Sequence, residues 1–187
     1  MPTAAKVQEL IALIDDAVDR IPGNGCCHSV KEALEKVVNS DEEFISPEFL
    51  RTAPDRYARR LLHMDPRGRY SILVMVWDKG QGTSLHDHDD MWCVECVYQG
   101  RIKVTSYSSF GEKDGLFEFQ PAKVVYAGHG EAGALIPPYD HHVLENADEK
   151  PAVTIHIYGG EMTACHAFVP VKDDLYRRER RELSYTD

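Results

Sequence analysis

No apolar run in the chain is longer than the stretch from Ile72 to Trp77, far short of the roughly twenty residues a membrane-crossing helix needs. The amino terminus lacks the unbroken apolar segment and small-residue cleavage site of a secretory leader. Met1-Pro2-Thr3-Ala4-Ala5-Lys6 leads into an amphipathic stretch carrying Asp15 and Asp16, so a cytoplasmic protein is expected. Basic residues are the minority, 21 against 31 acidic, and a formal charge of -10 repels phosphate backbones and anionic lipid; neither nucleic acid nor membrane is an expected partner. The one basic cluster, Arg177-Arg178 with Arg180-Arg181, is offset by Asp173, Asp174, Glu179 and Glu182 and reads as a solvated face. Cysteine is sparse and odd in number: Cys26, Cys27, Cys93, Cys96 and Cys165 cannot all pair, and in a reducing compartment none needs to. Cys93-Val94-Glu95-Cys96 has zinc-ligand spacing but stands in strand-like sequence without a second pair. Internal repeats and long linkers are missing too, so 187 residues are expected to build one core and a single domain over 1–187.

Val7, Leu10, Ile11, Ile14 and Val18 recur at helical spacing until Pro22-Gly23-Asn24-Gly25 ends the pattern. Ser29 with Glu32 reads as a capping box ahead of Ala33, Leu34, Val37 and Val38, and Ser46-Pro47-Glu48 starts another short helix with proline at its first position. Residues 1–50 are therefore expected as a helical layer. From Tyr57 onward the pattern changes to short β-rich runs: Tyr70–Trp77, Trp92–Tyr98, Arg101–Tyr107, Val124–Tyr126, Ala134–Ile136 and Val153–Tyr158. Strands this closely spaced suggest a sandwich or barrel over 57–170, leaving 173–187 as a charged tail on the surface. Gln99-Gly100 makes a tight connection, while Gly80-Gln81-Gly82 and Gly128–Gly133 mark open loops.

His86-Asp87-His88 places two imidazoles at i and i+2, which in an extended segment share one face at a separation a single metal ion can bridge. His142, about fifty residues on in His142-Val143-Leu144-Glu145-Asn146, supplies a third within β-like sequence after the turn Pro137-Pro138-Tyr139-Asp140. His-x-His followed by His-x3-Asn, each flanked by turns, resembles the two motifs of the cupin barrels. Cys93 stands where cupins usually carry a glutamate ligand, and Tyr139 where the second motif usually has glycine. Three histidines with cysteine in the glutamate position resemble the cysteine dioxygenases, thiol dioxygenases of the cupin superfamily. Tyr57-Ala58-Arg59-Arg60 is similar to that family's Tyr-x-Arg substrate clamp, Thr154-Ile155-His156-Ile157-Tyr158 to its Ser-x-His-x-Tyr strand, and Cys165-His166-Ala167-Phe168 to its Cys-His-Ala-Phe segment.

The resemblance implies a mainly β fold, a cupin-type jelly-roll barrel with amino-terminal helices. It implies iron(II) on His86, His88 and His142, a small thiol substrate with O2, Arg59 and Tyr57 on the substrate carboxylate, and Tyr158 beside the iron with His156 as its hydrogen-bond partner. It further implies a thioether joining Cys93 to the ring of Tyr158, against the simpler reading of Cys93 as a small buried residue. The other four cysteines are read as structural.

The metal chemistry is arguable from the residue types alone. Three neutral imidazoles leave a divalent ion its full charge, which favours an anionic ligand such as a thiolate, and O2 activation calls for a redox-active metal; three histidines also hold catalytic zinc. Alternation puts Thr154, His156 and Tyr158 on one face of their strand, and Cys93, Glu95 and Val97 on one face of theirs. Glu95 thus accompanies Cys93, either as a fourth ligand or bonded to a pocket group that tunes substrate choice. Only one of Arg59 and Arg60 faces inward, and a planar guanidinium there fixes a carboxylate through two parallel bonds. The expected activity is oxidation of L-cysteine to its sulfinic acid; the alternatives are another thiol acid such as 3-mercaptopropionate, and a metal-binding cupin without catalysis.

Overall fold

The computed structural model describes residues 2–40 and 43–187; Met1 of the amino-terminal reading and the pair Asp41-Glu42 lie outside the described residues. Leu10, Ile14 and Ala17 are buried along one face of α1 (Pro2–Arg20), and Val30, Leu34 and Val37 along one face of α2 (Cys27–Val38). Withdrawing each of the larger side chains from water contributes about 1.5–3 kcal/mol, which docks the helices on each other and on the sheet behind them. Pro22 removes the amide that another turn of α1 would need, and Gly23, at φ 69°, begins a 3-10 turn over Gly23–Cys26. That turn runs straight into α2, so Ser29 falls inside the helix rather than at its cap. Cys26 occupies the cap without a side-chain capping bond, which corrects the expected Ser29–Glu32 capping box. Ser46-Pro47-Glu48 opens a 3-10 helix, Pro47–Leu50, with proline in its first turn.

The strands are β1 (Ala58–Met64), β2 (Ser71–Trp77), β3 (Leu85–His86), β4 (Cys93–Gln99), β5 (Ile102–Lys113), β6 (Leu116–Ala127), β7 (Ala132–Leu135), β8 (His142–Asn146), β9 (Ala152–Tyr158), β10 (Ala164–Lys172) and β11 (Leu175–Glu182). They pair antiparallel in two sheets. One runs β1-β2-β9-β4-β7; the other, β10-β11-β6-β5-β8-β3, closes on itself because β3 pairs with both β8 and β10. This is the mainly β, cupin-type architecture with amino-terminal helices that the two histidine motifs imply.

Alternation along the first sheet sorts its side chains into two compartments. Ile72, Val74 and Val76 of β2, Val94 and Cys96 of β4, and Val153, Ile155 and Ile157 of β9 join the core beneath the helices. Leu73, Met75, Trp77, Cys93, Val97 and Tyr158 belong to a second cluster between the sheets. The helices therefore decide the orientation: with one face sealed by α1 and α2, the polar residues of the other parity, Glu95, Thr154 and His156, face the barrel interior.

Several stretches differ from the sequence reading. Of the expected Arg101–Tyr107 and Val124–Tyr126, all but Arg101 are parts of the longer arms β5 and β6, which turn at Asp114-Gly115, both at positive φ (54° and 78°), a pair suited to a two-residue hairpin. The segment expected as a charged surface tail forms β11, paired with β10 along its length and with β6 at Leu175 and Tyr176. Its arginines and glutamates are largely solvated, so its strand character resides in backbone hydrogen bonds that composition does not record.

Candidate metal centre and substrate pocket

β3 ends at His86, directly across from His142 at the start of β8, and His88 follows two residues later. One ring nitrogen from each of these histidines lies within 4.8 Å of the others, with ring centroids 4.7 to 5.2 Å apart. β3 is too short to place His88 by alternation alone. Asp140 does it instead: its Oδ2 accepts from the His88 backbone N–H at 3.0 Å and from Nδ1 at 2.9 Å. Across from it, Nδ1 of His86 donates to the Ser84 carbonyl at 2.9 Å. In both rings the proton sits on Nδ1, because the partner can only accept, and the Nε2 lone pair is left for the cluster. Loss of hydration, reinforced by the neighbouring rings, lowers His86 to about 4 and His142 well below the ordinary imidazole value. Both nitrogens of the fully buried His142 are without a hydrogen-bond partner among the described residues. Three converging imidazole nitrogens with an orphaned ring among them fit a divalent transition metal. Asp87, between the two motif histidines, faces the other way and holds His166 of β10 through its Nδ1 at 2.9 Å.

One cavity is lined by all three histidines together with Tyr57, Arg59, Trp77, His156, Tyr158, Met162, Cys165 and Leu183. Arg59 is 4% exposed; its guanidinium donates to the Met162 carbonyl at 2.5 Å and lies over the Tyr185 ring at 5.1 Å. The chain end is zipped to it: Thr186 N–H donates to the Arg59 carbonyl at 2.7 Å, and Arg59 N–H to Thr186 Oγ1 at 3.0 Å. Arg60 faces the opposite side, donating to the carbonyls of Phe49 and Arg51 at 3.2 and 2.5 Å. Tyr57 stacks on Trp77 with centroids 4.5 Å apart.

A hydrogen-bonded line crosses the pocket wall. Trp77 Nε1 donates to Thr154 Oγ1 at 2.9 Å, Thr154 Oγ1 lies 2.8 Å from His156 Nε2, and Tyr158 Oη lies 3.4 Å from His156 Nδ1. Burial, with the nearby histidines, lowers His156 to about 3 and raises the Tyr158 phenol well above its usual value, so both are neutral across the physiological range. Cys93 stands directly across the ladder from Tyr158, with Sγ 3.9 Å from His156 Nδ1, and burial raises its thiol well above the ordinary range.

Glu95 is opposite His156 on the same face. Its Oε2 is 3.5 Å from His156 Nδ1 and its Oε1 3.8 Å from His142 Nδ1; burial raises its carboxyl to about 8. It groups with Cys93 and His156 rather than with the three histidines of the other cluster. Sequence reasoning missed Asp140, whose signal was only its place in the Pro-Pro-Tyr-Asp turn, and the parts played by Trp77, Met162 and Tyr185, for which no local signal exists. Cys165, read as structural, lines the cavity. His141, the neighbour most easily confused with His142, packs against Phe119 and Phe168 with centroids 4.8 and 5.3 Å away.

A family model described as cysteine dioxygenase type I matches residues 7–170. Cysteine dioxygenase type 1 from Bos taurus and from Homo sapiens are each 27% identical over 114 residues, covering 60% of this chain and 56% of the relative. The Danio rerio enzyme is 25% identical over the same coverage. The chain thus spans little more than half the length of the curated relatives it matches. Among solved structures, oxalate oxidase in complex with glycolate is similar at 17% identity, over 65% of this chain and 62% of that one, with a TM-score of 0.47. An uncharacterized conserved protein with a double-stranded β-helix domain from Klebsiella pneumoniae is similar at 17% identity, over 65% and 94%, with a TM-score of 0.46.

Proposed function

The chain belongs to the cysteine dioxygenase type I family, and on that premise we propose that it oxidises a small thiol acid, L-cysteine first among them, to the sulfinic acid with O2. The reaction is balanced without an outside reductant: R–SH and O2 give R–SO2H, both oxygen atoms ending on sulfur. The observation that carries the reading is the shared cavity, with three imidazoles at one wall and at another a buried guanidinium whose acceptor is a backbone carbonyl rather than a carboxylate.

His86, His88 and His142 would hold iron(II), which when bound supplies open coordination positions for thiol and dioxygen and the one-electron chemistry that lets them react. Arg59 takes the substrate carboxylate with the N–H groups that Met162 leaves free, and this sets the distance of the thiol from the histidines. Tyr57, stacked on Trp77, closes the side of the pocket next to Arg59. Tyr158 keeps its proton and donates a hydrogen bond into the cavity, while His156, neutral and tied to Thr154, holds the phenol's orientation. The facing of Cys93 and Tyr158 across β4 and β9 supports a thioether between Sγ and the phenol ring. Its formation breaks one S–H and one aromatic C–H bond and passes two electrons and two protons to O2.

The test is oxygen uptake and product mass with protein loaded with iron(II), across L-cysteine, 3-mercaptopropionate and cysteamine. Sulfinic acid from a thiol acid is expected, with cysteamine poor because it offers Arg59 no carboxylate. Uptake with none of the thiols would overturn the enzyme reading in favour of a binding module.

A further inference from the structure

The proposed ligands are not supported alike. Nδ1 of His86 is held by the Ser84 carbonyl and Nδ1 of His88 by Asp140, each at 2.9 Å. His142, fully buried, has neither nitrogen in a hydrogen bond among the described residues, and the carboxylate beside its Nδ1 is that of Glu95, at 3.8 Å. Glu95 is itself an anomaly: a carboxyl on a strand whose neighbours Val94, Cys96 and Val97 are buried apolar residues, with Oε2 making no hydrogen bond among the described residues although it lies 3.5 Å from His156 Nδ1. A buried polar side chain left unpaired is costly, and one kept in such a place calls for a reason. Its other side borders a cavity of about 360 Å³ lined in part by Val97, Ile102, Val104, Val125 and Leu144, so the carboxyl is not packed tightly on that side and its side chain can adjust.

We propose that Glu95 is the positioning residue for His142: its carboxyl accepts the Nδ1 proton of His142 when Nε2 binds the metal, as Ser84 and Asp140 do for the other two rings. The inference rests on the reading that the three histidines hold the metal. Metal-bound imidazoles that donate their second nitrogen to an oxygen are held in one tautomer and one orientation, and loss of that partner costs about 10- to 100-fold in metal affinity. The role needs an oxygen acceptor at this position, whatever its charge. It also distinguishes Glu95 from a fourth ligand, since in this role the carboxyl takes Nδ1 of His142 and leaves Nε2 to the metal.

The experiment uses cobalt(II) as probe, its affinity read by chelator competition and its geometry by the visible spectrum. Glu95→Leu should weaken cobalt binding about 10- to 100-fold and shift the bands, while Glu95→Gln, which retains an acceptor oxygen, should restore most of both. Equal affinity and spectra in Glu95→Leu and the parent would overturn the proposal, as would equal losses in the Leu and Gln variants. His142→Ala separates the two levels: cobalt lost there but kept in Glu95→Leu removes only the positioning role, whereas cobalt kept in both removes the three-histidine site. Should Glu95→Leu fail to fold, nitrogen-15 NMR of the zinc-loaded parent decides alone. A hydrogen-bonded proton on Nδ1 of His142 is expected, and coordination through Nδ1 would refute it.

Discussion

Arg59→Ala tests whether the guanidinium reads the substrate or merely shapes the pocket. Arg59 is 4% exposed and spends one N–H on the Met162 carbonyl, so of its five donors most remain for a carboxylate. Truncating one partner of a buried charge pair costs about 2–5 kcal/mol, which corresponds to a fall of roughly 30- to 5,000-fold in kcat/KM for L-cysteine. The loss should appear mainly in KM, with iron content unchanged, because Arg59 touches none of the three histidines through a hydrogen bond. Arg59→Lys should recover part of it, since an ammonium keeps the charge but not the parallel pair of bonds. The informative quantity is the ratio of kcat/KM for L-cysteine to that for cysteamine, which has no carboxylate. The ratio should collapse in Arg59→Ala and survive in Arg60→Ala, whose side chain serves the carbonyls of Phe49 and Arg51. A proportional loss on both thiols in Arg59→Ala would refute the clamp and leave Arg59 as scaffolding for Met162 and Tyr185.

Asp140→Ala should weaken metal retention about 10- to 100-fold, measured as iron kept through dialysis against a chelator, because it frees both the ring and the backbone of His88. After turnover, peptide mapping should find the Cys93 and Tyr158 peptides joined and lighter by a pair of hydrogens; Cys93→Ala should keep reduced activity, and Tyr158→Phe should lose more. Fully active enzyme with only free Cys93 would remove the cross-link but not the oxidation chemistry. Asp65, 3% exposed, has its carboxyl held well below the usual range by hydrogen bonding to Arg69, which also reaches Asp15 and Asp19 of α1. A depressed carboxyl contributes stability above its unfolded value near 4 and loses it as pH falls. The melting temperature should therefore drop on acidification below about pH 4, and drop less in Asp65→Asn; identical acid profiles would count against the ion-pair cluster.

Much of the site was legible because it is written in short-range patterns. His86-x-His88 and the alternation of Thr154, His156 and Tyr158 are local, and a period of two survives whichever strands come to lie alongside. The same periodicity states that Arg59 and Arg60 face opposite ways and that Cys93 travels with Glu95, but it does not say which face is interior. That choice is made by α1 and α2, whose Leu10, Ile14, Val30 and Leu34 cover one side of the first sheet and leave the other parity to the barrel. Register decided the rest. Asp140 reaches His88 across more than fifty residues of chain, Glu95 comes beside His142 because β4 and β8 contribute to the same interior, and Thr186 zips onto β1 to cover Arg59. β11 was hidden for the complementary reason: a strand solvated along most of its length carries no hydrophobic period, and only its backbone pairing with β10 and β6 makes it one. Sequence records which side chains avoid water, whereas contacts between distant polar groups depend on how the sheets are aligned, and that alignment is set by the whole barrel closing at once.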